Sequence, residues 1–282
     1  MARLWLAVAG AAVTSIAIQE YATRRYYRTM PPPEQFFDEV ERTAWTPAWR
    51  EALWPAQWLA LQRSAVYRGD GVPRGAGEAV LLVPGFLTAG GYLATLRAWL
   101  DRIGYRARVA DIGWNVDCFD VHNDRLVAAI QQARLESGGP VHLVGHSLGG
   151  ILARAAATRS LDLVASVAAL NSPFRGLRVH PALRAVNSLV RTAIRRKRPE
   201  VPAECHTFAC GCATVRSLAA PLPASLPQLA IVTRSDGLAD WRYAADPETT
   251  RVVEVPATHL DTVFSPLAYE ALAAHLASAR TA

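Results

Sequence analysis

Neither G-K-S/T nor G-x-G-x-x-G occurs in the 282 residues, so the glycine-rich loops that cradle nucleotide phosphates are missing and no cofactor is expected. No unit repeats along the chain, which excludes a solenoid or a propeller. There are only four cysteines, Cys118, Cys205, Cys210 and Cys212. The last three crowd around His206, but none forms the C-x-x-C knuckle of a structural zinc site, so no metal is expected. A disulfide from Cys118 to one of the other three and a group of buried free thiols are both open readings. Charge is also sparse, at 19% of residues against 51% hydrophobic, which excludes a disordered or coiled-coil chain and leaves a globular one. Acidic residues are fewer than basic ones, 24 against 30, and the resulting +6 favours anionic surfaces. Nucleic acid is not an expected partner, because no binding motif is present and no aromatic residues interleave the basic run Arg191, Arg195, Arg196, Lys197 and Arg198. That run reads as a solvated helix face.

Long hydrophobic runs are missing except at the start. Leu4 to Ile18 is apolar, bounded by Arg3 and then by Gln19, Glu20, Arg24, Arg25 and Arg28. It is shorter than the roughly 20 residues that cross a bilayer, and it suits the apolar region of a signal peptide or a short membrane anchor. Residues 1–30 are therefore read as an N-terminal hydrophobic segment, and the chain as exported or membrane-associated. Residues 31–78 are rich in Pro and Trp and read as a helical extension. Pro47 and Pro55 each suit a first helical turn, which gives two short helices, with Trp49 and Trp54 in one and Trp58 in the other. The four tryptophans between Trp45 and Trp58 either pack on the core or dip into a membrane interface. Together with the basic run they make a lipid surface an expected partner.

From Ala79 the pattern changes to short apolar runs: Ala79–Val83, Ala107–Ile112, Val141–Val144, Leu163–Leu170, Leu229–Thr233 and Val252–Val255. Helix-forming stretches such as Leu93–Ile103 and Leu126–Leu135 lie between them. Continuous apolar strands joined by helices indicate an α/β domain with a mainly parallel sheet, over residues 79–282. The stretch 173–227 interrupts the alternation with a basic, helix-like segment from Pro181 to Arg198 and a Cys- and Pro-rich loop. An insertion of that size reads as a lid or a wall of a binding site.

The strongest chemical signal is Gly145-His146-Ser147-Leu148-Gly149, which follows the apolar run Val141–Val144 and precedes a stretch with Ile151, Leu152, Ala155 and Ala156 on one face. G-x-S-x-G between a strand and a helix is the arrangement that lifts a serine hydroxyl above a sheet edge on a tight turn. Serine needs a base to become a nucleophile, and in such sheets the acid and the histidine follow it in that order. Asp236 comes after the strand ending at Thr233, and His259 after the one ending at Val255. His142 lies inside a strand, His146 in the elbow and His275 in the last helix, so none of them is as well placed. Asp240 competes with Asp236 within one loop, and it suits a helix cap better. An oxyanion would be held by the N–H of Leu148, just after the nucleophile, and by the N–H of Phe86 in the loop Pro84-Gly85-Phe86-Leu87-Thr88-Ala89-Gly90-Gly91.

With these residues in view, the chain resembles the bacterial α/β-hydrolases of the lipase and esterase group. The resemblance rests on Pro-Gly-Phe-Leu at 84–87, Gly-His-Ser-Leu-Gly-Gly at 145–150, Asn-Ser-Pro-Phe-Arg-Gly at 171–176, Ser-Asp-Gly at 235–237 and the segment around His259. It implies the α/β-hydrolase fold, with helices on both faces of the sheet, and hydrolysis of a small-molecule or lipid ester through Ser147, Asp236 and His259. Many lipases carry His-Gly where this chain has Pro84-Gly85. Two rivals keep the same scaffold: an acyltransferase in which an alcohol accepts the acyl group, and a noncatalytic binding protein.

Overall fold

The computed structural model describes residues 46–176, 178–202, 204, 205, 207, 210–244, 246 and 250–279. The N-terminal hydrophobic segment, Trp45 and His206 lie outside the described residues. The extension enters as a 3-10 turn, Ala48–Leu53, behind Pro47. Helices α1 (Trp54–Arg63, with Pro55 in its first turn) and α2 (Ala65–Arg68) follow, the latter capped by the Ser64 hydroxyl, which accepts from the Tyr67 N–H. Trp54 thus opens the second helical element and shares it with Trp58; it does not pair with Trp49, because Pro55 suits the first turn of an α-helix and draws Trp54 into it.

The domain then runs β1 (Ala79–Val83), α3 (Ala94–Arg102), β2 (Arg106–Val109), α4 (Phe119–Ser137), β3 (Val141–His146), α5 (Leu148–Thr158), β4 (Val164–Leu170), α6 (Pro181–Lys197), α7 (Ala213–Ser217), β5 (Gln228–Val232), β6 (Arg251–Glu254) and α8 (Pro266–Ser278). All six strands are parallel, in the order β2-β1-β3-β4-β5-β6. Alternation along each strand sends Leu81, Val83 and Leu143 into one core, with Phe119 and Leu126 of α4 and Ile151 of α5. Val80, Leu82 and Val144 face the other core, with Trp99 of α3 and Tyr269 of α8. Both faces are therefore covered, as the apolar runs required. The edges are different: Arg106 and Arg108 on β2, and Arg251 and Glu254 on β6, carry charge where a strand has no second neighbour.

The chain leaves β1 to one side and returns to β3 on the other, so the order reverses between these two strands. Ligands of open α/β sheets bind outside the carboxyl ends at that point. The extension packs near the same end: Trp54 stacks on Phe264 at 5.4 Å between ring centres, and the Trp58 indole N–H donates to the Thr95 hydroxyl at 3.2 Å. The long crossover from β4 to β5 contains α6 and α7, and α7 packs on α4 and α5. Among the described residues no helix is long and apolar enough to cross a membrane.

Candidate active site

Strand β3 ends at His146, and Ser147 takes φ 55° and ψ −125°, a left-handed conformation that a residue with a side chain adopts only under restraint. The restraint is visible. The Ser147 N–H donates to the Leu170 carbonyl at 2.8 Å, and its own carbonyl accepts from the Gly150 N–H at 3.1 Å. A methyl group on Gly145 would lie 2.4 Å from the Gly149 carbonyl carbon, and one on Gly149 would lie 2.0 Å from the Val83 oxygen. The two glycines of the motif are thus what lets helix and strand approach closely enough for the turn. Leu148 opens α5, where first-turn N–H groups have no acceptor within the helix and the dipole is positive.

His259 and Asp236 meet although 23 residues separate them: Nδ1 of the imidazole lies 2.7 Å from Oδ2 of the carboxylate, and both are buried. The other Asp236 oxygen accepts from the N–H groups of Leu238 at 2.8 Å and Ala239 at 2.7 Å. Burial works against a charged imidazole here, but the Asp236 charge, the hydrogen bond to it and the charge of Glu51 outweigh burial and hold the His259 pKa above its ordinary value. The His259 ring tilts against that of His146, with centres 5.0 Å apart, which puts it beside the residue preceding Ser147. In this conformation no hydrogen bond joins the Ser147 hydroxyl to His259 among the bonds of the described residues.

His146 is fixed as a neutral spacer. Its Nε2 lies 2.9 Å from the His259 carbonyl, which can only accept, so the proton sits on Nε2 and Nδ1 accepts from the Tyr92 hydroxyl at 2.8 Å. Burial and the neighbouring His259 push its pKa down to about 3. The Tyr92 oxygen in turn accepts from the Gly85 N–H at 3.0 Å. Next in that loop, the Leu87 N–H donates to the Asn115 carbonyl at 3.2 Å, and the Asn115 side chain donates to the Pro84 carbonyl at 2.8 Å. These bonds fix the Pro84–Gly85 and Phe86–Leu87 peptides, which flank the peptide that carries the Phe86 N–H. A methyl group on Gly85 would lie 3.3 Å from the Ser147 Cβ, so the loop adjoins the serine.

Asp240 is engaged elsewhere. It receives Nε and Nη2 of Arg242 at 2.8 and 2.7 Å, and it caps the 3-10 turn Trp241–Tyr243. The loop carrying both aspartates is braced by the start of the crossover: the His180 N–H donates to the Leu238 carbonyl at 2.8 Å, and the Asp240 N–H to the Arg178 carbonyl at 2.9 Å.

Two residues at this end escape sequence reasoning. Asn171, at φ 45°, sends its amide to the carbonyls of Thr258 and His259 at 3.2 and 3.3 Å and to the Thr262 hydroxyl at 2.7 Å. Glu51, from the extension, accepts from the N–H groups of Gly237, His259 and Leu260 at 3.1, 3.1 and 2.8 Å. Asn171 carried a faint signal in the stretch 171–176, whereas Glu51 belongs to no motif.

The four cysteines converge away from these groups, Cys118 against Cys205 and Cys212, and Cys210 against the same two. None forms a disulfide, and among the described residues no cluster of His, Cys, Asp or Glu is arranged to hold a metal ion. The basic run beside them differs from a wholly solvated face. Arg191, at the start of the run, turns into the cysteine-lined core and is fully buried, while Arg198, at its end, is paired with Asp117 at 2.7 Å.

A parallel sheet with a strained serine at its switch point, and a buried Asp–His pair beside it, defines the class as an α/β-hydrolase. A model of the alpha/beta hydrolase family matches residues 80–281, and the chain belongs to that family. A search of curated protein sequences found no match. Among solved structures the fold is similar to one described as LipS and LipT, two metagenome-derived lipolytic enzymes, with TM-score 0.52 and 16% identity over 75% of this chain and 96% of that one. It is also similar to Est1E from Butyrivibrio proteoclasticus, with TM-score 0.49 and 15% identity over 75% and 93%. The pyrethroid hydrolase PytH matches with TM-score 0.49 and 18% identity over 73% and 98%.

Proposed function

We propose that the chain is a serine hydrolase that cleaves carboxylic esters. The observation that carries this reading is the buried Asp236–His259 pair packed against the residue that precedes the strained Ser147. Ser147 attacks the ester carbonyl, and His259 takes its proton on Nε2 while Asp236 holds the Nδ1–H tautomer and stabilises the imidazolium. The N–H groups of Leu148 and Phe86 receive the oxyanion. His259 then protonates the departing alcohol, which leaves an acyl group on Ser147. Water activated by His259 releases the acid and restores the serine.

A lipid-like acyl group suits the surroundings. Trp54, Trp58, Tyr92, Leu260 and Phe264 line a cavity of about 450 Å³, and Tyr92 and Leu260 also belong to the hydrogen-bonded frame of the site. Trp49 is 67% exposed on the same extension, which fits a substrate offered at an apolar interface. A fluorophosphonate probe should label the wild type and not Ser147→Ala, and turnover of p-nitrophenyl esters should fall by on the order of 10⁴ or more in that variant. Undiminished turnover by Ser147→Ala would rule out the mechanism. A preference for short over long acyl chains across the same esters would rule out the lipid-like substrate.

A further inference from the structure

The N-terminal extension does more than cover the hydrolase domain. Glu51 stands outside the span matched by the family model, yet its side chain is buried and meets the main chain of two separate loops. One oxygen accepts from Gly237, the residue after Asp236, and from His259 itself; the other accepts from Leu260. A carboxylate that only accepts is matched by three donors, two of which, the N–H groups of Gly237 and His259, would otherwise be buried without partners. Closeness is enforced as well, since a methyl group on Gly237 would lie 3.0 Å from Glu51 Oε1 and 3.1 Å from the Thr46 carbonyl. The opposite side of the His259 peptide is held by His146 and Asn171 at its carbonyl, so Glu51 supplies the restraint at its nitrogen.

We propose that Glu51 is a positioning residue of the Ser147–His259–Asp236 triad, fixing the acid and base loops against each other and adding negative charge behind the imidazole. This rests on the serine hydrolase reading. The charged and titratable groups around His259 are Asp236 on the acid loop, His146 on the elbow, Glu51 with Arg50 on the extension, and Asp261 on its own turn. Glu51 and Asp236 both favour the imidazolium, while His146 is neutral. Removing the Glu51 charge therefore lowers the pH at which His259 takes up its proton. Glu51→Gln also replaces one accepting oxygen by a donating NH₂, which faces either Leu260 or the pair Gly237 and His259.

The experiment compares wild type, Glu51→Gln, Glu51→Ala and Ser147→Ala in the full chain, each checked for folding by circular dichroism. The expected result is a fall in kcat on the order of 10- to 100-fold in Glu51→Gln with KM little changed, and an acid limb of kcat/KM displaced to lower pH. The NMR titration of the His259 ring in Ser147→Ala and in Ser147→Ala with Glu51→Gln reads the same displacement without catalysis, and it serves if Glu51→Ala does not fold. Wild-type kcat and an unmoved acid limb in Glu51→Gln, with Ser147→Ala inactive, overturn the role of Glu51 and leave the triad standing. Full activity of Ser147→Ala overturns the triad, and the proposal falls with it.

Discussion

Charge is buried in two parts of this molecule on different terms. At the carboxyl end of the sheet every buried charge has a directed partner: Glu51 receives three N–H groups, Asp236 receives His259 and two N–H groups, and Asp240 is bidentate with Arg242. In the crossover between β4 and β5, Arg191 is fully buried and its guanidinium meets no oxygen acceptor. What acts on it there is the Cys205 thiol, which it faces as a hydrogen-bond partner, together with the Asp117 charge and the Cys118 thiol. Directed bonds define angles and distances, so this end of the sheet is preorganised. Apolar and sulfur packing fills space without fixing a charge, and Arg191 is held in that looser way.

The comparison breaks most visibly at the two aspartates. Asp236→Asn should lower kcat by on the order of 10⁴, because an amide at that position no longer fixes the Nδ1–H tautomer or stabilises the imidazolium. Asp240→Asn should leave kcat nearly unchanged in the folded enzyme and reduce stability by roughly 3–5 kcal/mol, since it removes the carboxylate that pairs with the buried Arg242. Ester turnover and urea denaturation on both variants separate the two roles. Equal losses of kcat would show that the loop acts as one unit.

The crossover should respond in the opposite sense. Replacing a buried charge that no carboxylate or carbonyl oxygen binds with an apolar side chain of similar length removes a desolvation penalty, so Arg191→Met should stabilise the fold by about 1–4 kcal/mol. Denaturant midpoints measure this at constant m. A loss of stability would mean that the neighbouring sulfurs carry negative charge and that the two regions bury charge on similar terms.

The mildest effect is on pH. His259 must be neutral to accept the serine proton, and its pKa is held above the usual value of about 6.5, so the acid limb of kcat/KM should lie above that pH. The linkage to stability has the matching sign. A group whose folded pKa is raised stabilises fully below its unfolded pKa, and that contribution is lost as pH rises through the folded pKa. An acid limb at or below the free-imidazole value would mean that burial outweighs Asp236 and Glu51.

Sequence alone carried far into the fold. The apolar runs located all six strands to within a few residues, and the four inner ones, buried on both faces, cannot avoid continuous hydrophobic side chains. The strand–glycine–serine–glycine–helix order located the elbow, since only that order allows so close an approach of helix to strand. Asp236 is preferred to Asp240 in sequence for its place nearer the strand end and beside Gly237, with Asp240 read as a cap; Asp240 does cap the turn Trp241–Tyr243 and binds Arg242.

What local chemistry controls is therefore written along the chain: strand periodicity, the turn at Ser147, and the chain order of Asp236 and His259. Tertiary structure alone decided what depends on two distant segments meeting. Glu51 has no neighbour in sequence that marks it, and it acquires its place only because Trp54 packs on Phe264 and carries the preceding turn over the loops of Asp236 and His259. The burial of Arg191 is a fact of the same kind. A helix with a basic end reads as solvated from sequence, and only the packing of the crossover turns one of its arginines inward.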